Sequence, residues 1–311
     1  MRARNLGDRL RAILLATPFV GGVACNGAPP SLCPGGCGPC PTITRVAAIS
    51  FQPDFDAGCV TPCQERTEVY DVSSCGFLTL PDSGLAVTCT GESQCHTGRR
   101  PASLLAGGSA SAASIGRYFA AAARLEAAAV EAFEILACEL AAHHAPTHLA
   151  TAARRSAREE MSHAESTGAF ARRFGEQPLR ASFTERPQPR TLVEIAIENA
   201  REGCAGETYG ALIAAWQACH AADPDTRRLM RSIADDELSH ARLAFEVAEW
   251  LQPRLPRAER QLVRDAQDSA LDALAKNASR ELPAELVTIA GLPRPDSAAQ
   301  LVAGLQSEFG G

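Results

Sequence analysis

The chain has 311 residues, 46% of them apolar, and a formal charge of −6. That is enough for one large or two modest domains with a real core, and the mild acidity, with no long basic stretch, excludes a nucleic-acid footprint. Only 5% of residues are aromatic while alanine is abundant, a balance that favours closely packed helices over a sheet-rich fold.

Residues 1–24 read as an export signal. Arg2, Arg4, Arg9 and Arg11 form a basic start, and an apolar run follows from Ala12 to Ala24, too short to stay as a membrane span. It closes on Gly22-Val23-Ala24-Cys25, similar to a bacterial lipoprotein cleavage box except that Gly22 stands where leucine is usual. The expectation is an exported protein, lipid-anchored to a bacterial membrane if Cys25 is modified and otherwise periplasmic or extracellular.

Of the twelve cysteines, the segment 25–100 holds Cys25 and eight more, namely Cys33, Cys37, Cys40, Cys59, Cys63, Cys75, Cys89 and Cys95. An even set in a short exported segment reads as a disulfide framework. The rival is a zinc site at Cys37-Gly-Pro-Cys40, disfavoured because no second close pair stands at ribbon spacing. Short β-leaning runs at 45–51 and 84–89, separated by turn residues such as Pro81-Asp-Ser-Gly84, predict a small β-containing module. Residues 101–115 have the composition of a flexible linker.

From Gly116 the apolar period becomes 3.6. Four long helices are predicted within 116–253: 117–144, 146–174 with Pro146 at its first position, 191–221 opened by the capping box Thr191-Leu-Val-Glu194, and 223–252 capped by Asp223. Tight turns make helices one and two, and helices three and four, antiparallel hairpins. The sixteen residues from Gly175 to Arg190 can cover about 50 Å, and a 28-residue helix is about 42 Å long. The connection therefore reaches back along the bundle and sets helices two and three parallel. Residues 254–311 add an amphipathic stretch at 258–277 and a short helix near 297–309, expected to pack on the bundle.

Two motifs carry the chemistry: Glu160-Met-Ser-His163 and Glu237-Leu-Ser-His240, each in the middle of the second helix of a hairpin. Glutamate and histidine three apart share one helix face. Glu160 and His163 lie on a stripe with Leu149, Ala153, Ser156, Thr167, Phe170 and Phe174. Glu237 and His240 share theirs with Ile233, Ala244, Val247 and Leu251. Both pairs point at the core, where carboxylates without partners are costly. In helix one, Glu126 lies on the line Ala122, Val130, Phe133, Ala137, Leu140. In helix three, Glu207 is preferred to the secondary candidate Glu202 because the turn near Ala222 puts it at the depth of Glu237. Gly203, Gly206 and Gly210 beside it leave room for a cavity or a close helix approach. His143, His144 and His148 read as exposed last-turn histidines, Cys204 as packing, and Cys138 and Cys219 as too far apart to bridge.

Together Glu126, Glu160-x-x-His163, Glu207 and Glu237-x-x-His240 resemble, position by position, the ligand set of the ferritin-like superfamily of carboxylate-bridged di-iron bundles. The sequences Leu125-Glu-Ala-Ala-Ala-Val-Glu-Ala-Phe133 and Glu202-Gly-Cys-Ala-Gly-Glu-Thr208 are similar to exported bacterial members without assigned activity. The resemblance covers 117–252 and departs from storage ferritins and rubrerythrins in the Cys-rich front. It also lacks a rubredoxin-type double Cys-x-x-Cys. It implies a mainly α, ferritin-like four-helix bundle with one long crossover holding two iron ions, or manganese in their place. Glu160 and Glu237 would bridge the ions, and Glu126 and Glu207 would be terminal ligands. The implied activity is oxidoreduction of O2, peroxide or a small-molecule substrate with an external electron donor. The alternatives are iron sequestration without turnover and a metal-free interaction module.

Overall fold

The computed structural model describes residues 5–17, 42–49, 69–79, 85–93, 99–101, 104, 114–183 and 190–309. Among them the protein is mainly helical, with one small sheet. The elements run α1 (Leu6–Ala16), β1 (Thr42–Ile49), β2 (Val69–Thr79), β3 (Leu85–Ser93), α2 (Ile115–Ala142) and α3 (Thr147–Arg173). Then follow α4 (Leu192–Glu198), a π-helical segment (Asn199–Glu207), α5 (Thr208–His220), α6 (Pro224–Leu251), α7 (Arg257–Ala278), α8 (Ala284–Thr288) and α9 (Pro295–Phe309).

The strands form an antiparallel sheet in the order β1-β3-β2, with irregular register near Val69 and Val72 of β2. Cys75 on β2 is disulfide-bonded. Cys25, Cys33, Cys37, Cys40, Cys59, Cys63 and Cys95 lie outside the described residues, and of Cys89 only the backbone is described.

Caps fix where the helices begin. The Ser114 side chain accepts from the Arg117 amide, Thr191 and Glu194 form the expected capping box, and Asp223 accepts from the Thr226 amide, each giving an orphan first-turn donor a partner. Pro146 sits at the cap of α3, one position before the first-turn slot expected of it. At the other end of α3, Gly175 takes φ +83°, the left-handed geometry that ends many helices.

Ion pairs at the two ends of the rods establish the chain path. Arg190, opening the third rod, donates to Glu139 at the end of α2 from Nε and Nη2 at 2.8 Å, and its carbonyl lies 2.7 Å from His143 Nε2. Arg173, closing α3, holds Asp223 at the start of α6 through two bonds of 2.9 and 2.8 Å. The third rod thus starts beside the α2–α3 turn and α6 starts beside the end of α3, so α3 and the third rod run parallel while α6 runs antiparallel to α3. His143 is a correction: it is half-buried and ties the returning chain to the α2–α3 turn, whereas His144 and His148 are exposed.

The third rod is the main departure from the expected geometry. It is not one α-helix: its middle nine residues are π-helical. Residues 203–208 are all buried, because the π segment packs on α6 and on α7. The C-terminal extension is therefore integral. Leu271, Leu274, Leu301, Val302 and Leu305 join Leu212 and Trp216 in one core cluster. Gly291, at φ +72°, passes so close to Ala221 that a Cβ would lie 2.3 Å from its nitrogen, so only glycine fits there.

Two stretches expected to stand apart from the bundle touch it. α1, inside the stretch read as an export signal, buries Leu6, Leu10 and Ile13 in that same cluster, and Arg9 pairs with Glu308 of α9. In the stretch read as a linker, Pro101 is buried and Leu104 pairs with Phe183 of the returning connection. No described helix is long and apolar enough to cross a membrane.

Candidate metal centre

Each of the four rods delivers its glutamate or its Glu-x-x-His pair to one place. Glu126 comes from α2, Glu160 and His163 from α3, Glu207 from the last π-helical residue, and Glu237 and His240 from α6. Ligand atoms of Glu126, Glu160, His163 and Glu237 all lie within 4.8 Å of one another, and so do those of Glu160, Glu207, Glu237 and His240. The two groups overlap at Glu160 and Glu237. Glu160, Glu207 and His240 are fully buried; Glu237 and His163 are 5% and 4% exposed, and Glu126 is half-buried.

Glu202 does not enter. Its carboxylate pairs with Arg100 at 3.4 Å. Cys204, one turn before Glu207, is buried, and burial pushes its thiol up to about 12, which makes it an inert packing group. Cys138 and Cys219 are exposed and neither is disulfide-bonded.

The inward atoms have nothing adequate to bond. Both carboxylate oxygens of Glu160 and of Glu207, Oε2 of Glu237, and Nδ1 of both histidines are buried without a hydrogen-bond partner. His240 Nδ1 lies 3.0 Å from Glu160 Oε1, and His163 Nδ1 lies 3.5 Å from Glu160 Oε2, within ion-pair distance but without a hydrogen bond. Buried polar atoms are otherwise almost always paired, so this concentration at one spot is unusual.

The outer nitrogens are satisfied, and they show how the rings are held. His163 Nε2 stands 3.0 Å from Asp236 Oδ2, and His240 Nε2 stands 3.0 Å from Glu159 Oε2. An acceptor carboxylate there fixes a proton on Nε2 and turns Nδ1 inward, where it offers a lone pair once its own proton is displaced. The pairing is crossed, because the acid beside each inward glutamate orients the histidine of the other hairpin. Glu159 and Asp236 were missed in the sequence because an acid next to a buried glutamate points to the outer face of its own helix. The signal was present: both motifs read acid-Glu-x-x-His.

The electrostatics reflect crowding. Burial drives the Glu126 and Glu237 carboxyls well above the usual range, and neighbouring carboxylates add to it. Glu207 is raised mainly by burial, with Glu160 adding to it. Burial pushes Glu160 upward too, but the two imidazoles outweigh it and bring it down to about 2. Burial alone would lower His240, yet Glu159 and Glu160 carry it to about 10. Without a cation, then, protons must be taken up to keep the cluster buried.

A four-carboxylate, two-imidazole set matches the charge and ligand preference of two hard-to-borderline divalent ions such as iron or manganese. Glu160 and Glu237 are common to both groups, Glu126 and His163 complete one, and Glu207 and His240 complete the other. Comparison with family models, curated proteins and solved structures finds no match for this chain.

Proposed function

We propose that the protein is a dinuclear metal protein of the ferritin-like kind, holding two iron or manganese ions, and that the centre is redox-active toward dioxygen, a peroxide or a small molecule. The observation that carries this reading is the pair of overlapping ligand groups sharing Glu160 and Glu237, whose inward atoms are buried and unbonded. Buried carboxylates left so would cost several kcal/mol. Cations remove that cost, and they explain why two imidazoles turn Nδ1 toward four carboxylates.

In this reading Glu160 and Glu237, common to both ligand groups, would help to hold both ions, Glu126 with His163 would serve one, and Glu207 with His240 the other. When bound, such a metal pair supplies two electrons to an oxidant. The chain's own residues do the rest. Phe133, whose ring lies 5.0 Å from that of His240, and Ala129, Ala153 and Ala157 from the adjoining core keep bulk water from the buried side. Glu159 and Asp236 hold the Nε2 protons, so that each imidazole keeps its inward lone pair. Glu126, the most exposed of the six, marks the side from which a small reactant approaches. Export, with lipid attachment at Cys25, and a disulfide-held front module complete the proposal; the first rests on the basic start and the cleavage-like box, the second on the eight clustered cysteines.

The test is metal analysis of the purified protein, followed by anaerobic reduction and addition of oxygen or peroxide. Two ions per chain and consumption of the oxidant are expected, both lost in the His163→Ala/His240→Ala double variant. Uptake without turnover would leave sequestration as the function. Equal metal content in the double variant would refute the assignment.

A further inference from the structure

Arg99 is the most deeply buried arginine among the described residues, at 1% exposure. It lies in the chain shortly after β3 and reaches into the bundle at the π segment. Its Nη1 donates to Glu198 Oε1 at 3.0 Å and its Nη2 to Asn199 Oδ1 at 2.8 Å. Glu198 and Asn199 are the last α-helical and first π-helical residues of the third rod. Asn199 passes the contact on, its Nδ2 donating to the Ala244 carbonyl of α6 at 2.8 Å. Glu198 is also paired with Arg190, which is anchored on Glu139, so the guanidinium belongs to a partly buried alternation of charges reaching α2.

Two further contacts aim this cation at the metal centre. A Cβ built on Gly203, in the middle of the π segment, would stand 2.3 Å from Arg99 Nη2; the glycine leaves the space that the guanidinium fills. The Arg99 Cζ lies 5.3 Å from the centre of the Phe133 ring, and the same ring packs on His240. One side chain thus touches the beginning and the middle of the segment that ends at Glu207, and reaches His240 through a single phenyl ring.

We propose that Arg99 is a positioning residue for the Glu207–His240 half of the centre. It braces Asn199–Glu207 in the π-helical form and seats Phe133 against His240, and so makes the chain leaving the Cys-rich module a structural part of the metal site. The consequence for metal binding rests on the function proposed above; the bracing does not. A π segment is rare and costly against the α-helix, and a buried charge kept at its start with fork geometry on two successive residues is suited to hold it.

The experiment compares wild type with Arg99→Met, Arg99→Lys and Gly203→Ala in the full chain, by amide hydrogen exchange and by cobalt(II) titration. Loss of the brace should speed exchange in peptides spanning 199–207 about tenfold in Arg99→Met and Gly203→Ala, with α3 peptides unchanged. Arg99→Lys, keeping charge without the fork, should fall between. Cobalt capacity should drop from two ions to one, with the visible spectrum of the remaining ion retained. Wild-type exchange over 199–207 in Arg99→Met overturns the proposal, as does uniform acceleration across all helices. Should Arg99→Met not fold, Arg99→Lys against wild type gives the same comparison. A wild type that takes up no cobalt sinks the metal assignment, while the exchange data still decide the bracing.

Discussion

The two hairpins carry nearly the same motif in different surroundings. In α2–α3, Glu126 sits on a regular α-helix and is half-buried. In the other hairpin, Glu207 ends a π segment and is fully buried beneath α7, on the side also covered by α1 and α9. The same ligand types are thus set once at an accessible edge and once inside a sealed wall. The difference shows that a ligand motif fixes which atoms converge, whereas the packing around it decides which half meets solvent.

The largest expected effect separates shared from private ligands. Glu160→Ala or Glu237→Ala should abolish binding of both ions, while Glu126→Ala or Glu207→Ala should leave one ion per chain, read by metal analysis after dialysis. Equal losses from all four would end the distinction between the halves. Next in size, the metal-free protein should gain stability at neutral pH from Glu237→Gln, by about 1–3 kcal/mol in urea unfolding, because folding no longer has to protonate a buried carboxyl crowded by others. The metal-loaded protein should lose stability from the same change. Opposite signs in the two forms are the expected signature, and a loss in both would show that the carboxylate is not strained.

The crossed acids sharpen the comparison further. Asp236→Asn releases the ring of the exposed half and Glu159→Gln that of the sealed half. Each should weaken metal affinity about 10- to 100-fold, and a competition titration with a chelator would measure it. The smallest effect concerns the end of the rods. Asp223→Ala should cost about 1 kcal/mol as a lost cap. Its carboxyl is held below the usual range first by Arg173, against a smaller opposing effect of burial, and then by the Thr226 amide. Because the folded pKa is depressed, the contribution is complete above the unfolded carboxyl range near 4 and disappears as pH falls further. The difference between variant and wild type should therefore begin to shrink as pH falls below about 4, as urea melts from pH 7 to pH 3 would show.

Much of this was legible because periodicity and caps act locally. The stripes through Glu160 and Glu237, the box at Thr191 and Glu194, and the length of 175–190 each need only nearby residues to interpret. What escaped depends on contacts between distant segments. The π segment leaves no period in Asn199–Glu207, since its glycines suit a cavity, a close approach or a widened turn equally. Glu159 and Asp236 act on the opposite hairpin, which no helical wheel displays. Arg99 follows the last of the clustered cysteines, where a cation reads as loop surface. The N-terminal run is ambiguous for another reason: a basic, apolar stretch suits both export and packing, and Leu6, Leu10 and Ile13 are buried in the bundle. Mass measurement of the mature protein from its native host decides whether that helix stays.

The crossed pairing of acids and imidazoles has a consequence for how such a fold could be assembled. Neither hairpin can align its own histidine, since the orienting oxygen always comes from the other one. A lone hairpin bearing one acid-Glu-x-x-His and one facing glutamate would be incompetent by itself. Joined to a duplicate about a two-fold axis, it would regain all six ligands and both orienting acids. The single chain is in this sense a pair of half-sites, each completed by the other, with one face open and the other closed.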